Sequence, residues 1–362
     1  MVRNIGVDLH RNNFVAATRA GNGRTYLRTW ELSELERFAG QLRSDDRVAV
    51  EMTTNTRFFY DAIRSSVAEV QVVNTGQFKV ITRSVKKTDR HDAEALARFL
   101  EKDMLPTVRL KEMEQGQLAG LVSTRDALVK QRTTLKNKIN NRYAMYGRPI
   151  KREQLSSEKG LAAVEAEPFD ALVRIEIGAL VAQIRALNAS IRDLEKAIEA
   201  SAEKLKGYET LTSIKGIGKV SAAALLTVIG DVDDFASAEK LGAYLGLVPR
   251  VSNSNETERS GRITKRGSKL ARTALVQCAL VAKKYSPYLH AFHARIRQRK
   301  GGGKANIALA RKLLEIIYRA LKNEWVFEDF AEFRLVGGVC PVKKKGQRTA
   351  VACPVKIKRQ AG

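Results

Sequence analysis

Four acidic residues in the first hundred positions are the side chains of this sequence best suited to chemistry. Asp8 and Glu51 each end a short apolar stretch with the pattern of a buried strand. Asp89 and Asp92 are three residues apart, which places them on one face of a helix. The ends of neighbouring strands point to the same end of a sheet, and a helix that crosses this end would add the other two carboxylates.

Four carboxylates gathered in one place repel each other unless divalent cations neutralise their charge. Oxygen ligands of this kind select Mg²⁺ or Mn²⁺ over zinc, and two such ions about 4 Å apart hold the attacking and leaving oxygens in phosphoryl transfer. The same residues also have an ordinary interpretation. Asp89 could cap the helix, Asp92 could interact with its dipole, and Asp8 and Glu51 could lie at loop edges.

The charge of the chain points to a polyanionic partner. The 362 residues include 64 Lys and Arg against 39 Asp and Glu, a formal net charge of +25. Residues 206–330 contribute +11 and residues 331–362 contribute +7, whereas residues 1–105 contribute +3. The stretch 250–312 has 16 basic residues against two acidic ones. A solvated basic face is one interpretation, but phosphate is the expected counter-charge for so dense a stretch.

Several classes of protein are not expected from this composition. No apolar run approaches the roughly 18 residues of a membrane span, and Asp8 interrupts the first apolar stretch, which disfavours a secretory signal. Cys278, Cys340 and Cys353 form no CxxC pair, and the four histidines form no zinc-type cluster. The segment 301–305, GGGKA, lacks the glycine spacing and the Ser or Thr of a P-loop, so nothing indicates ATP.

The elements that must position the carboxylates form an α/β domain with a mixed sheet. The pattern predicts strands at 4–9, 13–19, 25–30, 47–51 and 69–73, and helices at 33–42, at 57–66 and from about Thr88. Ser33 and Glu36 predict a capping box at the start of the first helix.

The middle of the chain is predicted to be helical. Its apolar residues recur at alternating steps of four and three, at Leu180, Ile184, Leu187, Ile191, Leu194 and Ile198. Leu121, Leu128 and Leu135 are seven apart in an earlier segment. This spacing predicts either an antiparallel helical hairpin or a coiled coil that also dimerises the protein.

A helix-hairpin-helix is predicted around Gly216 and Gly218. The amides at the start of a helix can bind phosphate without reading sequence. Lys215 and Lys219 flank this turn and favour a role in binding nucleic acid, although plain turn chemistry explains the same glycines.

The basic stretch that follows is predicted to contain a polar, serine-rich loop. Its basic residues Arg250, Arg262, Lys265 and Arg266 are candidates for contact with DNA. No histidine is placed to act as a base, so the residues alone do not single out one serine as a nucleophile. The chain is therefore expected to divide into an α/β domain at 1–105, a coiled coil or helical hairpin at 106–205, a mainly helical domain at 206–332 and a basic, disordered tail at 333–362.

Five motifs, in this order, resemble the DEDD transposases of bacterial insertion sequences, the "one-ten" group that includes the Piv pilin-gene invertase. The motifs are GVDLH at the first strand, VEMT around Glu51, KTDRHDAEALA around Asp89, IKGIGKVSAAALL at the hairpin and YLGLVPR…S…GRITKRG in the basic stretch. The resemblance covers nearly all of residues 1–330. It implies a RuvC-like (RNase H-like) domain, a coiled coil and a C-terminal transposase domain.

The resemblance also implies the site. The acidic residues of the family correspond to Asp8, Glu51, Asp89 and Asp92, which bind Mg²⁺, and its serine nucleophile, five residues after the proline of the GLxP motif, corresponds to Ser254. Many members have Gly where this chain has Asn255, and Ser252 and Ser260 are the alternatives. The family further implies a tetrameric synapse, whose active sites combine the RuvC-like domain of one protomer with the serine segment of another, and a noncoding bridge RNA that pairs with donor and target DNA.

We therefore expect a bacterial, cytoplasmic, nucleoid-associated recombinase that moves or inverts an insertion sequence through serine-linked strand exchange. It would use Mg²⁺ or Mn²⁺, bind double-stranded DNA at the element ends and the target, bind a bridge RNA, and form a homo-oligomer between dimer and tetramer. Two alternatives remain at this stage. One is a RuvC-like, structure-selective endonuclease that uses carboxylates and water alone, and the other is a non-enzymatic nucleic-acid-binding scaffold with a degenerate acidic site.

Overall fold

The computed structural model describes residues 2–21, 23–74, 76, 78, 88–254 and 257–336, and at Arg152 and residues 251–254 and 257–260 it describes the backbone alone. The chain forms two compact units, Met1–Lys111 and Glu112–Gly362. The predicted disordered tail lies outside the described residues from position 337 onward. Within the described ranges, no helix is both long and apolar enough to cross a membrane.

The first unit is built on a five-stranded mixed sheet with the order β3-β2-β1-β4-β5. Its strands are β1 (Asn4–Leu9), β2 (Asn13–Arg19), β3 (Thr25–Glu31), β4 (Arg47–Glu51) and β5 (Glu69–Val73). Strand β2 pairs antiparallel with β1 and β3, whereas β4 runs parallel to β1 and β5. The mixed sheet predicted from the sequence is confirmed, and β1 lies at its centre.

Helices cover both faces of this sheet, and the two faces are packed differently. The helices are α1 (Leu35–Ala39), α2 (Thr56–Ile63) and α3 (Asp89–Glu101). Large side chains fill the face covered by α1 and α2, including Phe38 and Phe59. On the opposite face, small residues of α3, Ala93 and Ala97, pack against β2. The side of the sheet that faces α3 is therefore the side on which backbones approach most closely.

The first helix is capped differently from the prediction. A 3₁₀ turn, Leu32–Glu34, precedes α1, and the amide of Glu31 donates to Oε2 of Glu34 at 3.2 Å. The capping box predicted from Ser33 and Glu36 is therefore wrong. The physical reason is that Glu31 is still paired with β2 at the end of β3, so the chain enters the helical turn directly from the sheet.

The second unit is mainly helical, as predicted. Its helices are α4 (Met113–Met145), α5 (Glu158–Ala166), α6 (Ala171–Ala202), α7 (Tyr208–Ser213), α8 (Lys219–Ile229), α9 (Ala238–Tyr244), α10 (Lys269–Tyr285), α11 (Pro287–Lys300) and α12 (Gly302–Lys322). Two antiparallel strand pairs are added to them, β6 (Pro249–Ser254) with β7 (Thr257–Ile263), and β8 (Phe327–Asp329) with β9 (Arg334–Leu335).

The long helices α4 and α6 pack antiparallel within one chain. Nε of Arg125 donates to Oε1 of Glu195 at 2.9 Å, and Nη2 of Arg142 lies 2.6 Å from Oε2 of Glu176. The partner number on α6 falls as the number on α4 rises, which is the signature of an antiparallel pair. Apolar residues near each end of the pair belong to separate buried clusters.

Candidate metal centre and nucleic-acid interface

Gly6 allows helix α3 to lie directly against β1. A Cβ atom at this position would lie 2.8 Å from Cβ of Leu96, and nearer still to the carbonyl oxygen of Ala93 and the amide nitrogen of Ala97. Only a residue without a side chain permits this approach of helix backbone to strand backbone. The contact fixes the N-terminal part of α3 beside the end of β1.

Asp8 and Asp89 are brought together by this packing. Side chains alternate along a strand, so Asp8 faces the same side as Gly6, which is the side of α3. Asp8 is 5% exposed. Nε2 of His10 lies 3.5 Å from Oδ2 of Asp8 and 3.2 Å from Oδ2 of Asp89. One ligand atom from each of these three residues lies within 4.8 Å of the others.

Glu51 occupies the neighbouring strand at the same level as Asp8. The parallel register pairs Val7 with Val50, so Asp8 and Glu51 are the next residues along their strands. Glu51 is two residues beyond Ala49, which packs against α3. Residues two apart on a strand face the same side, so Glu51 also lies on the α3 side of the sheet. Its carbonyl oxygen accepts a hydrogen bond from Oγ1 of Thr56 at 2.6 Å, which ties the strand end to α2.

Asp92 lies three residues beyond Asp89, in the same first turn of α3. The helix is capped by Thr88, whose hydroxyl accepts from the amide of His91 at 3.3 Å, so Asp89 is the first helical residue and not the cap. Asp92 is 7% exposed, whereas Asp89 is exposed. A carboxylate is seldom buried to this degree without compensating charge.

The sequence analysis did not single out His10 or the turn that carries it. The amide of His10 donates to the carbonyl oxygen of Asn13 at 2.9 Å. Nδ2 of Asn55 donates to the carbonyl oxygens of His10 and Arg11 at 3.0 and 2.9 Å. The only signal in the sequence is the spacing of Asp8 and His10, which are two residues apart and therefore face the same side of an extended chain.

The donor set of this site fits a hard divalent cation. Asp8 at the end of β1 and Asp89 in the first turn of α3 share a cluster with one imidazole nitrogen, and Glu51 ends the neighbouring strand at the level of Asp8. Oxygen-rich sets of this kind suit Mg²⁺ and Mn²⁺, whereas zinc sites are dominated by Cys and His.

In the second unit, the predicted helix-hairpin-helix consists of α7, a turn at 214–218 and α8. Gly216 has φ 107° and packs against α10, where a Cβ would lie 2.8 Å from Cα of Ala282. Gly218 is exposed, and a Cβ built there meets no heavy atom within 4 Å among the described residues. Of the two predicted glycines, Gly216 serves packing, and Gly218 at the start of α8 is open to a ligand.

The two lysines of this turn differ in their surroundings. Lys215 is exposed. Nζ of Lys219 lies 3.2 Å from Oε2 of Glu199 on α6, and this hydrogen bond raises the pKa of the Lys219 ammonium. Lys219 therefore links α8 to α6 as well as adding positive charge near the turn.

The segment predicted as a polar loop forms the β6–β7 hairpin. Ser254 is the last residue of β6 and pairs with Thr257, so it lies next to the turn. Ser252 pairs with Arg259, and Ser260 pairs with Val251 further back along the hairpin. Asn255 lies outside the described residues. A serine near the tip of a hairpin is presented by two paired strands, which is a firmer support than the loop that was predicted.

The root of this hairpin is held by an arginine that the sequence analysis did not identify. Nη1 of Arg272 donates to the carbonyl oxygens of Leu245, Arg266 and Gly267 at 3.1, 2.8 and 3.0 Å. The amide of Thr264 adds a bond to the carbonyl oxygen of Val248 at 2.9 Å. Arg272 thus supports the fold from within the basic stretch.

The basic residues predicted to contact DNA lie on and beside the hairpin. Arg250 and Arg262 are on β6 and β7, and Lys265 and Arg266 follow β7. All four are exposed. Their placement gives the root of the hairpin a positively charged surface, at the opposite end from Ser254, which suits contact with a phosphate backbone.

Comparison with known proteins identifies the family in both parts of the chain. The family model for DEDD transposases of the IS110 type matches residues 5–142, which include all four carboxylates. The model described as the transposase IS116/IS110/IS902 family matches residues 208–294, which include the helix-hairpin-helix and the β6–β7 hairpin.

Curated relatives agree with these matches. The chain is 28% identical over 288 residues to the transposase for insertion sequence element IS1111A of Coxiella burnetii, covering 76% of this chain and 78% of that protein. It is 28% identical over 282 residues to the transposase for IS1328 of Yersinia enterocolitica, with 76% and 83% covered. It is 29% identical over 276 residues to the pilin gene-inverting protein of Moraxella lacunata, with 72% and 74% covered. The chain therefore belongs to the IS110-type DEDD transposases and is a DNA transposase or recombinase of an insertion sequence.

Proposed function

We propose that this transposase cleaves and rejoins DNA through a phosphoserine intermediate at Ser254, with Mg²⁺ or Mn²⁺ held by Asp8, Glu51, Asp89 and Asp92. The observation that supports the proposal most directly is the meeting of Asp8 and Asp89 where α3 lies against the end of β1. Asp8 and Asp89 share one cluster with His10. Glu51 follows from the strand register and Asp92 from the helical turn.

The first unit is proposed to be RNase H-like. Three features support this assignment, namely the strand order β3-β2-β1-β4-β5, the single antiparallel strand β2 between β1 and β3, and the carboxylate at the end of the central strand. Such a sheet offers its strand-end carboxylates to a phosphodiester at one edge.

The chemistry would proceed by two exchanges of a phosphodiester bond. The hydroxyl oxygen of Ser254 attacks phosphorus and loses its proton, and the bond from phosphorus to the departing strand oxygen breaks. That oxygen takes up a proton and leaves as a free hydroxyl end. The other part of the cleaved strand remains linked to serine through the phosphate. A strand end from the partner DNA then attacks the phosphoserine and releases the serine hydroxyl. One phosphodiester replaces another, so ATP is not required.

The carboxylates serve this reaction by holding cations against the scissile phosphate. A bound divalent cation supplies Lewis-acid stabilisation of the charge that develops on the phosphoryl oxygens. Asp8 and Asp92 are buried and would fix the position of the site, whereas exposed Asp89 would meet the substrate side. Helix α3 orients Asp89 and Asp92 together, because both belong to its first turn.

The nucleic acid is proposed to bind along the hairpin and the helix-hairpin-helix. Arg250, Arg262, Lys265 and Arg266 would contact backbone phosphates at the root of the hairpin that carries Ser254. Lys215, Lys219 and the amides at Gly218 would bind a second stretch, with Gly216 shaping the turn. These groups recognise charge and shape, not bases. A bridge RNA that pairs with the element ends and the target would therefore supply sequence selection.

A homo-oligomer is proposed to form through α6. A second apolar stripe at steps of three and four runs along its exposed side, at Leu172, Ile175, Ala179, Ala182 and Ala186. Leu172 and Ile175 are 81% and 69% exposed. We expect Ile175→Glu to lower the mass measured by light scattering after gel filtration, whereas Arg174→Glu, on the next exposed position, would leave it unchanged. Equal masses for both variants would contradict the role of this stripe.

Trapping of a covalent adduct tests the reaction itself. The protein is incubated with element-end DNA, target DNA and RNA transcribed from the element flank, then denatured and examined for protein-linked DNA. We expect an adduct that is lost in Ser254→Ala and retained in Ser252→Ala. Cleavage that survives Ser254→Ala but needs Asp8 would indicate an endonuclease that uses water, and salt-sensitive binding without cleavage would indicate a scaffold.

The metal centre is tested separately by titration calorimetry with Mn²⁺. Asp8→Asn and Asp92→Asn should abolish or strongly weaken binding, because each removes a buried anionic ligand. Glu94→Gln is the matched control, since Glu94 lies on the same helix but its side chain is 40% exposed and pairs with His91. Binding that is unchanged in Asp8→Asn would overturn the assignment of the site.

A further inference from the structure

We propose that His10 is a nitrogen ligand of the metal centre and that it makes the centre favour Mn²⁺ over Mg²⁺. This inference rests on the proposed function, because it concerns the same carboxylate site. It goes beyond the four acidic residues in two respects: it adds a fifth protein ligand of a different chemical type, and it assigns to that ligand the choice of metal.

The distances around His10 are close to those of a shared coordination sphere. In an octahedral site with bonds of 2.0–2.1 Å, two adjacent ligand atoms are about 3.0 Å apart. Nε2 of His10 is 3.2 Å from Oδ2 of Asp89 and 3.5 Å from Oδ2 of Asp8. A shift of a few tenths of an ångström would place the imidazole nitrogen at a vertex adjacent to each of the two carboxylate oxygens around one ion. The imidazole is therefore placed for coordination, without rearrangement of the backbone.

The backbone of His10 is held in place by contacts that do not involve its ring. The amide donates to Asn13, and the carbonyl oxygen accepts from Nδ2 of Asn55 at the start of α2. The side chain is 44% exposed, so the ring projects from a fixed turn into the open side of the cluster. A ligand on a fixed turn loses little conformational entropy when it binds an ion.

The type of donor decides which metal benefits. Mg²⁺ binds carboxylates and retains several water molecules, and it gains little from an imidazole. Imidazole nitrogen binds transition metals better, and Mn²⁺ is the first member of that series. Loss of His10 should therefore weaken Mn²⁺ binding more than Mg²⁺ binding. The affinities of the centre for the two ions would then become more similar.

The competing explanation is that His10 bridges Asp8 and Asp89 only while no cation is bound and is displaced by the ion. In that case the imidazole competes with the metal, and its removal would leave the affinity unchanged or increase it. The two explanations predict opposite changes, so one substitution separates them.

The experiment measures Mn²⁺ and Mg²⁺ binding by calorimetry at one fixed pH for the full chain, His10→Ala and His91→Ala. His91 is a matched control because it lies exposed on the first turn of α3 and pairs with Glu94. We expect His10→Ala to raise the Kd for Mn²⁺ by roughly tenfold or more and that for Mg²⁺ by less than about threefold. His91→Ala should leave both constants unchanged.

Pulsed electron paramagnetic resonance of bound Mn²⁺ provides a direct readout. We expect coupling to a ¹⁴N nucleus in the full chain and in His91→Ala, and its absence in His10→Ala. A spectrum of the full chain without nitrogen coupling would overturn the inference, as would unchanged or tighter Mn²⁺ binding in His10→Ala. If Asp8→Asn still weakens binding, only the role of His10 fails, whereas unaltered binding in Asp8→Asn would overturn the metal centre itself.

Discussion

Replacement of Gly6 by alanine is expected to damage the metal centre without touching any of its ligands. The new Cβ would lie 2.8 Å from Cβ of Leu96 and closer to the backbone of α3 at Ala93 and Ala97. Carbon atoms pack at about 3.5–4.0 Å, so α3 must move away from β1 by roughly 0.7–1 Å to relieve the first of these contacts alone.

The size of the effect follows from this displacement. Overpacking in a well-packed core costs about 1–3 kcal/mol, and for a unit of about a hundred residues each kcal/mol lowers Tm by roughly 4–8 °C. Asp89 and Asp92 move with the helix while Asp8 remains on the strand. A misplacement of about 1 Å at a reacting centre can reduce the rate on the order of a hundredfold.

The assay combines thermal unfolding, Mn²⁺ titration and strand cleavage of element-end DNA. Gly40→Ala is the matched control, because among the described residues the atom nearest to a Cβ at that position would be the carbonyl oxygen of Glu36, at 3.6 Å, which is an ordinary contact. We expect Gly6→Ala to lose stability, metal affinity and cleavage together, and Gly40→Ala to keep all three. If Gly6→Ala matches Gly40→Ala in Tm and in Mn²⁺ affinity, α3 is not positioned by this contact and the reasoning is refuted.

Three further predictions concern the second unit. Gly216→Ala should lower its thermal stability by about 1–3 kcal/mol, because the position combines φ 107° with close packing on α10, whereas Gly218→Ala, which has space around it among the described residues, should leave the Tm unchanged. Burial raises the pKa of Tyr143 to about 12 from an ordinary value of 10.0, so the neutral phenol stabilises the fold below pH 10 and this contribution is lost as the pH rises towards 12. Tyr143→Phe should therefore flatten the decline of stability between pH 10 and 12 in urea unfolding. Arg272→Met should expose the β6–β7 hairpin to proteolysis without changing the salt dependence of DNA binding, whereas Arg262→Met should reduce the slope of that dependence by about one.

Much of the α/β unit could be predicted because its signals are local. The apolar runs that end in Asp8 and Glu51 form the expected strands, and their parallel pairing brings the two carboxylates to the same level. The start of α3 at Asp89 also agrees with the prediction from about Thr88. Strand periodicity and helix starts depend on neighbouring residues, which a single sequence contains.

The features that were not predicted depend on residues far apart in the chain. Gly6 is a strand residue whose role is set by α3, about ninety positions later. His10 is positioned by Asn55. The β6–β7 hairpin is polar and lacks a clear alternation of apolar and polar residues, so it was predicted as a loop, and the contact of Arg272 with its root was not predicted. No local pattern encodes such contacts, since they arise only when the elements pack.

The hairpin root also has a mechanical consequence for the proposed nucleophile. Ser254 lies five residues beyond Pro249, or about 17 Å along an extended strand. Over that distance, a rotation of the hairpin by about 5° at its root moves its tip by roughly 1.5 Å. The hydrogen bonds from Arg272 at the root thus help to fix the position of Ser254, which lies at the other end of the hairpin. Directed changes at the root offer a way to retune strand exchange while every residue that meets DNA stays the same.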